Sequence, residues 1–149
     1  MLAAVFVYGT LMPGHLRWGL IAPSAVGSRP ASVEGQLYDT GQGWPAARFT
    51  RPLGVATIAS GAPAALATVP GWWVELAPGA AASLLGQLDE VEGAVLAEPG
   101  SGIGTDPVPG GYRRVRVLTA AGDEAWAYEA LEVEPGWVPV DAWVGRDEN

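Results

Sequence analysis

The chain has 149 residues, 49% hydrophobic and 16% charged, a balance typical of a compact globular protein and not of a disordered one. Its net charge of −8 disfavours binding to nucleic acid phosphates and to anionic membrane surfaces. It has no cysteine, no lysine and one histidine, which excludes disulfides, cysteine metal sites, a Schiff-base lysine, a Walker phosphate loop and a multi-histidine metal site.

The first predicted strand covers residues 2–8 and ends in the motif Tyr8-Gly9-Thr10-Leu11. An apolar run that stops at a glycine is typical of a buried strand that leads into a tight loop. The N–H groups of such a loop can point at a ligand, and a core strand holds them rigidly. On this stretch alone, a plain turn after a strand explains the pattern as well.

The next elements are less regular. We expect a short helix within 15–21 because its apolar residues recur at helical spacing, and Pro23 ends it. Alternating residues and turn signals then predict further strands at 25–28, 31–38, 53–58 and 69–76.

The clearest helix is predicted over 79–92, with Leu84, Leu85, Leu88 and Val91 on one stripe and a glycine at the expected cap. The Gly- and Pro-rich stretch 94–111 is interpreted as a long surface loop or flap. Strands at 112–118 and 125–131 form a hairpin, and we expect the two tryptophans of the acidic tail to pack over the core. This order of elements predicts an α+β protein with a mainly antiparallel sheet or small barrel.

Glu92 stands out among the acids of that helix. At about 100° per residue it falls about 80° from Leu84, inside the apolar stripe, whereas Glu90 lies on the opposite face. Loss of solvation and the negative end of the helix dipole would both raise the pKa of a carboxyl there. A raised pKa suits a general acid/base. The alternative is a frayed helix end whose last side chain escapes to solvent.

In their order along the chain, these pieces resemble the γ-glutamylcyclotransferase-like family, in its γ-glutamylamine cyclotransferase and AIG2-like branch. The resemblance covers most of the chain and rests on five short motifs: Tyr8-Gly9-Thr10-Leu11 with Gly14, Gly35-Gln36-Leu37-Tyr38-Asp39 with Trp44-Pro45, Leu88-Asp89-Glu90-Val91-Glu92-Gly93, Tyr112-Arg113-Arg114, and Ala125-Trp126-Ala127-Tyr128.

The resemblance implies one domain over 1–149, folded as a small mixed, mostly antiparallel β-barrel with flanking short helices. It implies Glu92 as the acid/base and a substrate site made by Tyr8, Gly9, Thr10, Leu11 and Tyr112. In a γ-glutamyl amide, amine or peptide the α-amine attacks the γ-carbonyl and releases 5-oxoproline and a free amine. The nucleophile belongs to the substrate, so this chemistry needs no metal and no cofactor.

Alternatives stay open at this point. The chain could be a non-catalytic small-molecule-binding or interaction domain on the same fold, or it could hydrolyse a γ-glutamyl-protected metabolite. The length of the stretch 94–111, the poor match over 48–70 and the pair Trp72-Trp73 all depart from the family pattern. These departures affect the identity of the substrate more than the fold.

The remaining expectations concern secondary residues and surroundings. We interpret Arg114 as an ion-pair partner, and Glu129, Glu132 and Glu134 as a solvated face. With no basic leader and no apolar run long enough to cross a membrane, we expect a soluble cytoplasmic protein. Its partner would be a small γ-glutamyl substrate, without nucleic acid or membrane, and its state a monomer or weak homodimer.

Overall fold

The computed structural model describes most of the chain around one mixed sheet. Its eight strands follow the order β3-β2-β4-β1-β7-β6-β5, with β8 added beside β2. The strands are β1 (Ala4–Val7), β2 (Ala25–Asp39), β3 (Pro45–Phe49), β4 (Thr68–Leu76), β5 (Ala94–Leu96), β6 (Tyr112–Leu118), β7 (Glu124–Ala130) and β8 (Val138–Val140). The described residues are 2–9, 11–12, 18–41, 45–50, 67–92, 94–96, 112–130 and 133–143, with the backbone alone at 91–92 and 94–96.

Strand β1 lies in the middle of the sheet and is buried along its whole length. It pairs antiparallel with β4 and parallel with β7, which brings Val5 opposite both Val74 and Trp126. A strand that is covered on both faces requires a continuous apolar run, and the sequence supplies one in Ala-Val-Phe-Val. The predicted first strand is therefore confirmed.

The predicted long helix is also confirmed, as α1 (Ala81–Glu92). Leu84, Leu85 and Leu88 are buried in the core, as their common stripe predicts. At the N-terminal side of the chain, one 3-10 turn covers Trp18–Leu20 and another covers Ala22–Ser24. Residues 15–17 of the predicted short helix lie outside the described residues.

The sheet curls so that β3, at one end of the strand order, approaches β7, and it forms a nearly closed barrel. Side chains make much of this closure. Oε1 of Glu129 on β7 accepts a hydrogen bond of 2.8 Å from the backbone N–H of Phe49 on β3. Nη1 of Arg48 donates to the carbonyl oxygen of Ala130 at 3.0 Å. The backbone N–H of Ala120 also donates to the carbonyl oxygen of Ser32 at 2.9 Å.

Two sequence-based expectations about strands were wrong. The two strands predicted at 25–28 and 31–38 form one strand, β2, that continues through Pro30. The N–H of Gly35 bonds towards β4, at Ala67, and the carbonyl of Glu34 bonds to the other side, at Thr50. In this alternation the even-numbered Pro30 faces away from β4, so its missing N–H removes no bond to β4.

The predicted loop 94–111 is wrong at its beginning, where β5 pairs parallel with β6. Strands β3 and β8 were not predicted, because both are short and contain proline. The predicted strand 53–58 and the remainder of the predicted loop, 97–111, lie outside the described residues.

Glu129 corrects the interpretation of a solvated acidic face. Its side chain is 1% exposed, and Oε2 accepts hydrogen bonds from Nε and Nη2 of Arg113 at 2.9 and 2.8 Å. Glu134 is exposed, as predicted, and Glu132 lies outside the described residues. The acidic composition of this stretch suggested solvent exposure, whereas the barrel turns the side chain of Glu129 inward.

The expected packing of the tail over the core is confirmed for Trp143, which is buried and joins the core cluster. The Trp137 ring lies 6.1 Å from the ring of Tyr38 instead, and neither of these two residues belongs to that cluster. In the described part of the chain, no helix combines the length and the apolar character that crossing a membrane would require.

Candidate active site

The loop that follows β1 folds back tightly on itself. The N–H of Met12 donates to the carbonyl oxygen of Gly9 at 3.0 Å, and the side chains of Leu11 and Met12 are buried. Tyr8 is also buried, and its hydroxyl donates to the backbone carbonyl of Tyr128 on β7. Core packing and one hydrogen bond to β7 thus fix this loop in place. Thr10 lies outside the described residues.

Gly9 is required by a close approach to β3. A Cβ atom at this position would lie 2.6 Å from Cγ and 2.9 Å from Cδ of Pro45, nearer than carbon atoms can approach. Gly9 therefore lets the loop lie directly against the first residue of β3, which forms one wall beside it.

Tyr112 on β6 also contacts Pro45. Its hydroxyl lies 3.4 Å from the carbonyl oxygen of Pro45, a long hydrogen bond, and its side chain is half-buried. Two residues predicted to bind substrate, Gly9 and Tyr112, therefore contact the same third residue. From the sequence, these two residues were connected only because both belong to motifs of the family that the chain resembles.

Glu92 is the last residue of α1, and its position follows from the backbone. Strand β5 begins two residues later, where Ala94 pairs with Tyr112. At about 3.3 Å per extended residue, the Cα of Glu92 lies within about 7 Å of the Cα of Ala94. The end of the helix is thus close to the strand pair that includes the backbone of Tyr112, whose hydroxyl contacts Pro45. The Glu92 side chain lies outside the described residues.

The last turns of α1 are fastened to the outer face of β6 and β7. The hydroxyl of Tyr128 donates to Oδ1 of Asp89 at 2.8 Å, and Nε of Arg114 lies 3.0 Å from the same oxygen. The guanidinium of Arg114 also lies 4.5 Å from the centre of the Trp126 ring. The interpretation of Arg114 as an ion-pair partner is confirmed.

Two residues of this region received no role from the sequence. Asp89 falls at the margin of the apolar stripe of the helix, where it is as easily a surface acid as a buried anchor. Pro45 was noted only as part of a motif. The signal available for Asp89 is its spacing of three residues from Glu92, which places both on neighbouring turns of one side of the helix.

Among the side chains that the structure describes, no group of three or more histidine, aspartate or glutamate residues could hold a metal ion. The described polar groups around the loop are hydroxyls, backbone amides and one ion pair. They can accept and donate hydrogen bonds around a small polar molecule.

Comparison with protein families gives a match over most of the chain. The model of a family described as gamma-glutamyl cyclotransferase, AIG2-like, matches residues 5–144. No curated protein matches the chain.

Solved structures with a similar fold come from distant proteins. An uncharacterized protein of Pyrococcus horikoshii is 19% identical, with 93% of this chain and 86% of that chain covered and a TM-score of 0.54. YkqA of Bacillus subtilis is 20% identical, with 96% and 40% covered and a TM-score of 0.55. An allophanate hydrolase of Kluyveromyces lactis is 11% identical, with 94% and 19% covered and a TM-score of 0.56. The chain thus corresponds to most of the first protein and to a minor part of the other two. These similarities establish the fold.

Proposed function

Since the chain belongs to the AIG2-like gamma-glutamyl cyclotransferase family, we propose that it converts a γ-glutamyl amide, amine or peptide into 5-oxoproline and a free amine. The observation that carries this proposal is the continuous contact from Gly9 through Pro45 to Tyr112, beside which the chain segment leaving Glu92 is paired. It supports the proposal because the loop motif and the strand next to the Glu92 segment contact the same residue, Pro45, although the two motifs are about 80 residues apart in the sequence.

The reaction is an intramolecular acyl transfer. The α-amine of the substrate forms a new C–N bond to the γ-carbonyl carbon, and the C–N bond to the leaving amine then breaks. Attack within one molecule becomes fast when the chain of the substrate is held folded, so the main task of the protein is to bind that conformer. The loop after β1 suits this task because its fold is fixed by buried side chains and by the bond from Tyr8 to β7.

Two further contributions complete the mechanism. Backbone N–H groups of the loop between Gly9 and Leu11 would stabilise the negative charge that develops on the γ-carbonyl oxygen. Glu92, as a carboxylate, would take a proton from the α-ammonium and pass it to the leaving amine. The attacking nitrogen loses a second proton as the lactam N–H forms, and this proton also reaches the leaving amine, which departs as an ammonium. No redox step or external nucleophile is involved.

The buried carboxylate of Glu129 is a poor candidate for this proton transfer. One of its oxygens accepts from the N–H of Phe49 and the other from the guanidinium of Arg113. A base must have an oxygen available to the proton that it removes. Glu92 therefore remains the residue that we assign as acid/base.

The test is release of 5-oxoproline from a panel of γ-glutamyl amines, amides and dipeptides, with wild type compared to Glu92→Gln. Glutamine keeps the size of the side chain and removes the base, so we expect kcat to fall by about 10²–10⁴-fold. Thr10→Ala is the matched comparison, because the loop is assigned a backbone role. Its loss should be much smaller.

Two results would contradict the proposal. Equal activity of wild type and Glu92→Gln would remove the acid/base role, and a larger loss in Thr10→Ala would show side-chain chemistry in the loop. Binding of panel members without any turnover would favour a non-catalytic binding domain, and release of free glutamate in place of 5-oxoproline would identify a hydrolase.

A further inference from the structure

Tyr128 contacts both halves of the proposed site, through two different groups. Its backbone carbonyl accepts the hydroxyl hydrogen of Tyr8, which precedes the loop. Its own hydroxyl donates to Oδ1 of Asp89 at 2.8 Å, one helical turn before Glu92. One residue in the middle of a rigid strand thus links the substrate loop to the catalytic end of the helix.

On the helix side, two residues of the sheet hold the carboxylate of Asp89. Asp89 is about one-fifth exposed, and its Oδ1 is also 3.0 Å from Nε of the buried Arg114. Arg114 in turn lies against the Trp126 ring, on the same outer face of β6 and β7. The Asp89 carboxylate accepts a hydrogen bond from the Tyr128 hydroxyl and forms an ion pair with Arg114. It holds its backbone more firmly than apolar packing alone, because a hydrogen bond has a preferred length and direction.

Among the described side chains in the last turn of α1, Leu88 and Asp89 contact the rest of the molecule, whereas Glu90 is exposed. The turn has no basic side chain to bind its free carbonyl groups, and the chain leads directly into β5. Leu88 packs into the core, but apolar contacts allow small displacements along and around the helix axis. Asp89 therefore contributes to the orientation of the turn that carries Glu92.

We propose that Tyr128 and Asp89 are positioning residues, which hold the end of α1 at a fixed distance from the loop after β1 and thereby align Glu92 with the γ-glutamyl group. This inference rests on the proposed function. It adds that one strand, β7, fixes the positions of both the loop and the helix end that carries Glu92. Neither therefore moves relative to the other during the reaction. A misplacement of a catalytic group by about 1 Å can reduce the rate by about 100-fold.

The experiment compares Tyr128→Phe and Asp89→Ala with wild type. Tyr128→Phe removes only the hydroxyl and leaves the backbone carbonyl that holds Tyr8. We expect kcat to fall by about 10–100-fold with KM nearly unchanged, because the base is displaced while the loop still binds substrate. Tyr8→Phe, which loosens the loop side, should instead raise KM.

A matched control separates positioning from loss of stability. Asp123→Asn removes an aspartate that pairs with Arg29 at the turn between β6 and β7, outside the site contacts. It should leave kcat and KM at their wild-type values. The double variant Tyr128→Phe/Asp89→Ala should lose no more activity than Asp89→Ala alone, since Asp89→Ala already removes the acceptor of the Tyr128 hydroxyl.

Amide hydrogen exchange gives a second readout that does not depend on turnover. In Tyr128→Phe, we expect faster exchange in the last turn of α1 and unchanged exchange in β1 and β7. Unchanged exchange at residues 89–92, or an equal loss of kcat in Asp123→Asn, would overturn the inference. A wild-type protein that turns over no γ-glutamyl compound would overturn the proposed function instead, and faster exchange at the helix end would then still support the anchor.

Discussion

At the scale of single residues, Gly9 leads to a specific prediction, because one neighbouring residue explains why a larger side chain does not fit there. The atoms that a Cβ would meet both belong to the ring of Pro45. Gly9→Ala should lower the free energy of unfolding by about 1–3 kcal/mol and weaken substrate binding, because the loop must move away from β3. Pro45→Ala removes both ring atoms, so the double variant should regain part of the lost stability in urea unfolding.

Gly35 provides the control for this pair. A Cβ there would lie 2.4 Å from the backbone oxygen of Arg48, and no side-chain substitution removes that atom. Gly35→Ala should therefore stay destabilised in the background of Pro45→Ala. If Pro45→Ala fails to improve Gly9→Ala, the glycine is required by the conformation of the loop and not by its contact with β3.

The sequence indicated that glycine has a structural role at position 9, but it could not show which contact requires it. A glycine after an apolar strand indicates a turn, and glycine is usually explained there by its backbone freedom. The chain around Gly9 gives no sign that Pro45 lies against it, since the two are 36 residues apart in the numbering. The same holds for Asp89, whose role depends on a tyrosine from another element.

At the scale of elements, periodicity predicted those helices and strands whose pattern is set by residues close together in the sequence. Helix α1 and strand β6 have strong internal patterns, and both were found at the predicted places. Strands β5 and β8 have three residues each, and they exist because β6 and β2 offer them a free edge. Three residues do not contain a period, so only the tertiary structure could reveal them.

The link between β3 and β7 depends on Glu129, and it predicts a large loss of stability. Glu129→Ala would leave the Arg113 guanidinium without its carboxylate partner and remove the acceptor of the Phe49 N–H. We expect the free energy of unfolding to fall by about 3–5 kcal/mol, as for other broken buried ion pairs. Chemical denaturation followed by tryptophan fluorescence measures this loss.

A double variant tests the physical reason. In Glu129→Leu/Arg113→Met both charges are gone and apolar volume takes their place, so the loss should be smaller than in Glu129→Ala. A double variant that is at least as unstable as Glu129→Ala would show that the bond to Phe49, and not the uncompensated arginine, sets the cost.

At the scale of the whole molecule, acidic residues outnumber basic ones by 16 to 8, which gives a net charge of −8. The cationic groups described beside the proposed site do not offset this excess, because Arg114 is paired with Asp89. Long-range attraction therefore favours substrates without net negative charge. This bias acts on the rate of encounter and follows the ionic strength, since the Debye length is about 30 Å at 0.01 M salt and about 8 Å at 0.15 M.

Three γ-glutamyl substrates with the same reacting group can measure this bias. The leaving amine may carry a carboxylate, no charge or a second ammonium. Between about 0.01 and 0.15 M salt, we expect kcat/KM to rise several-fold for the anionic substrate, to fall for the cationic one and to stay constant for the neutral one. The neutral substrate reports any direct effect of salt on the protein. Equal responses of all three would mean that binding is governed by groups within the site and not by the net charge.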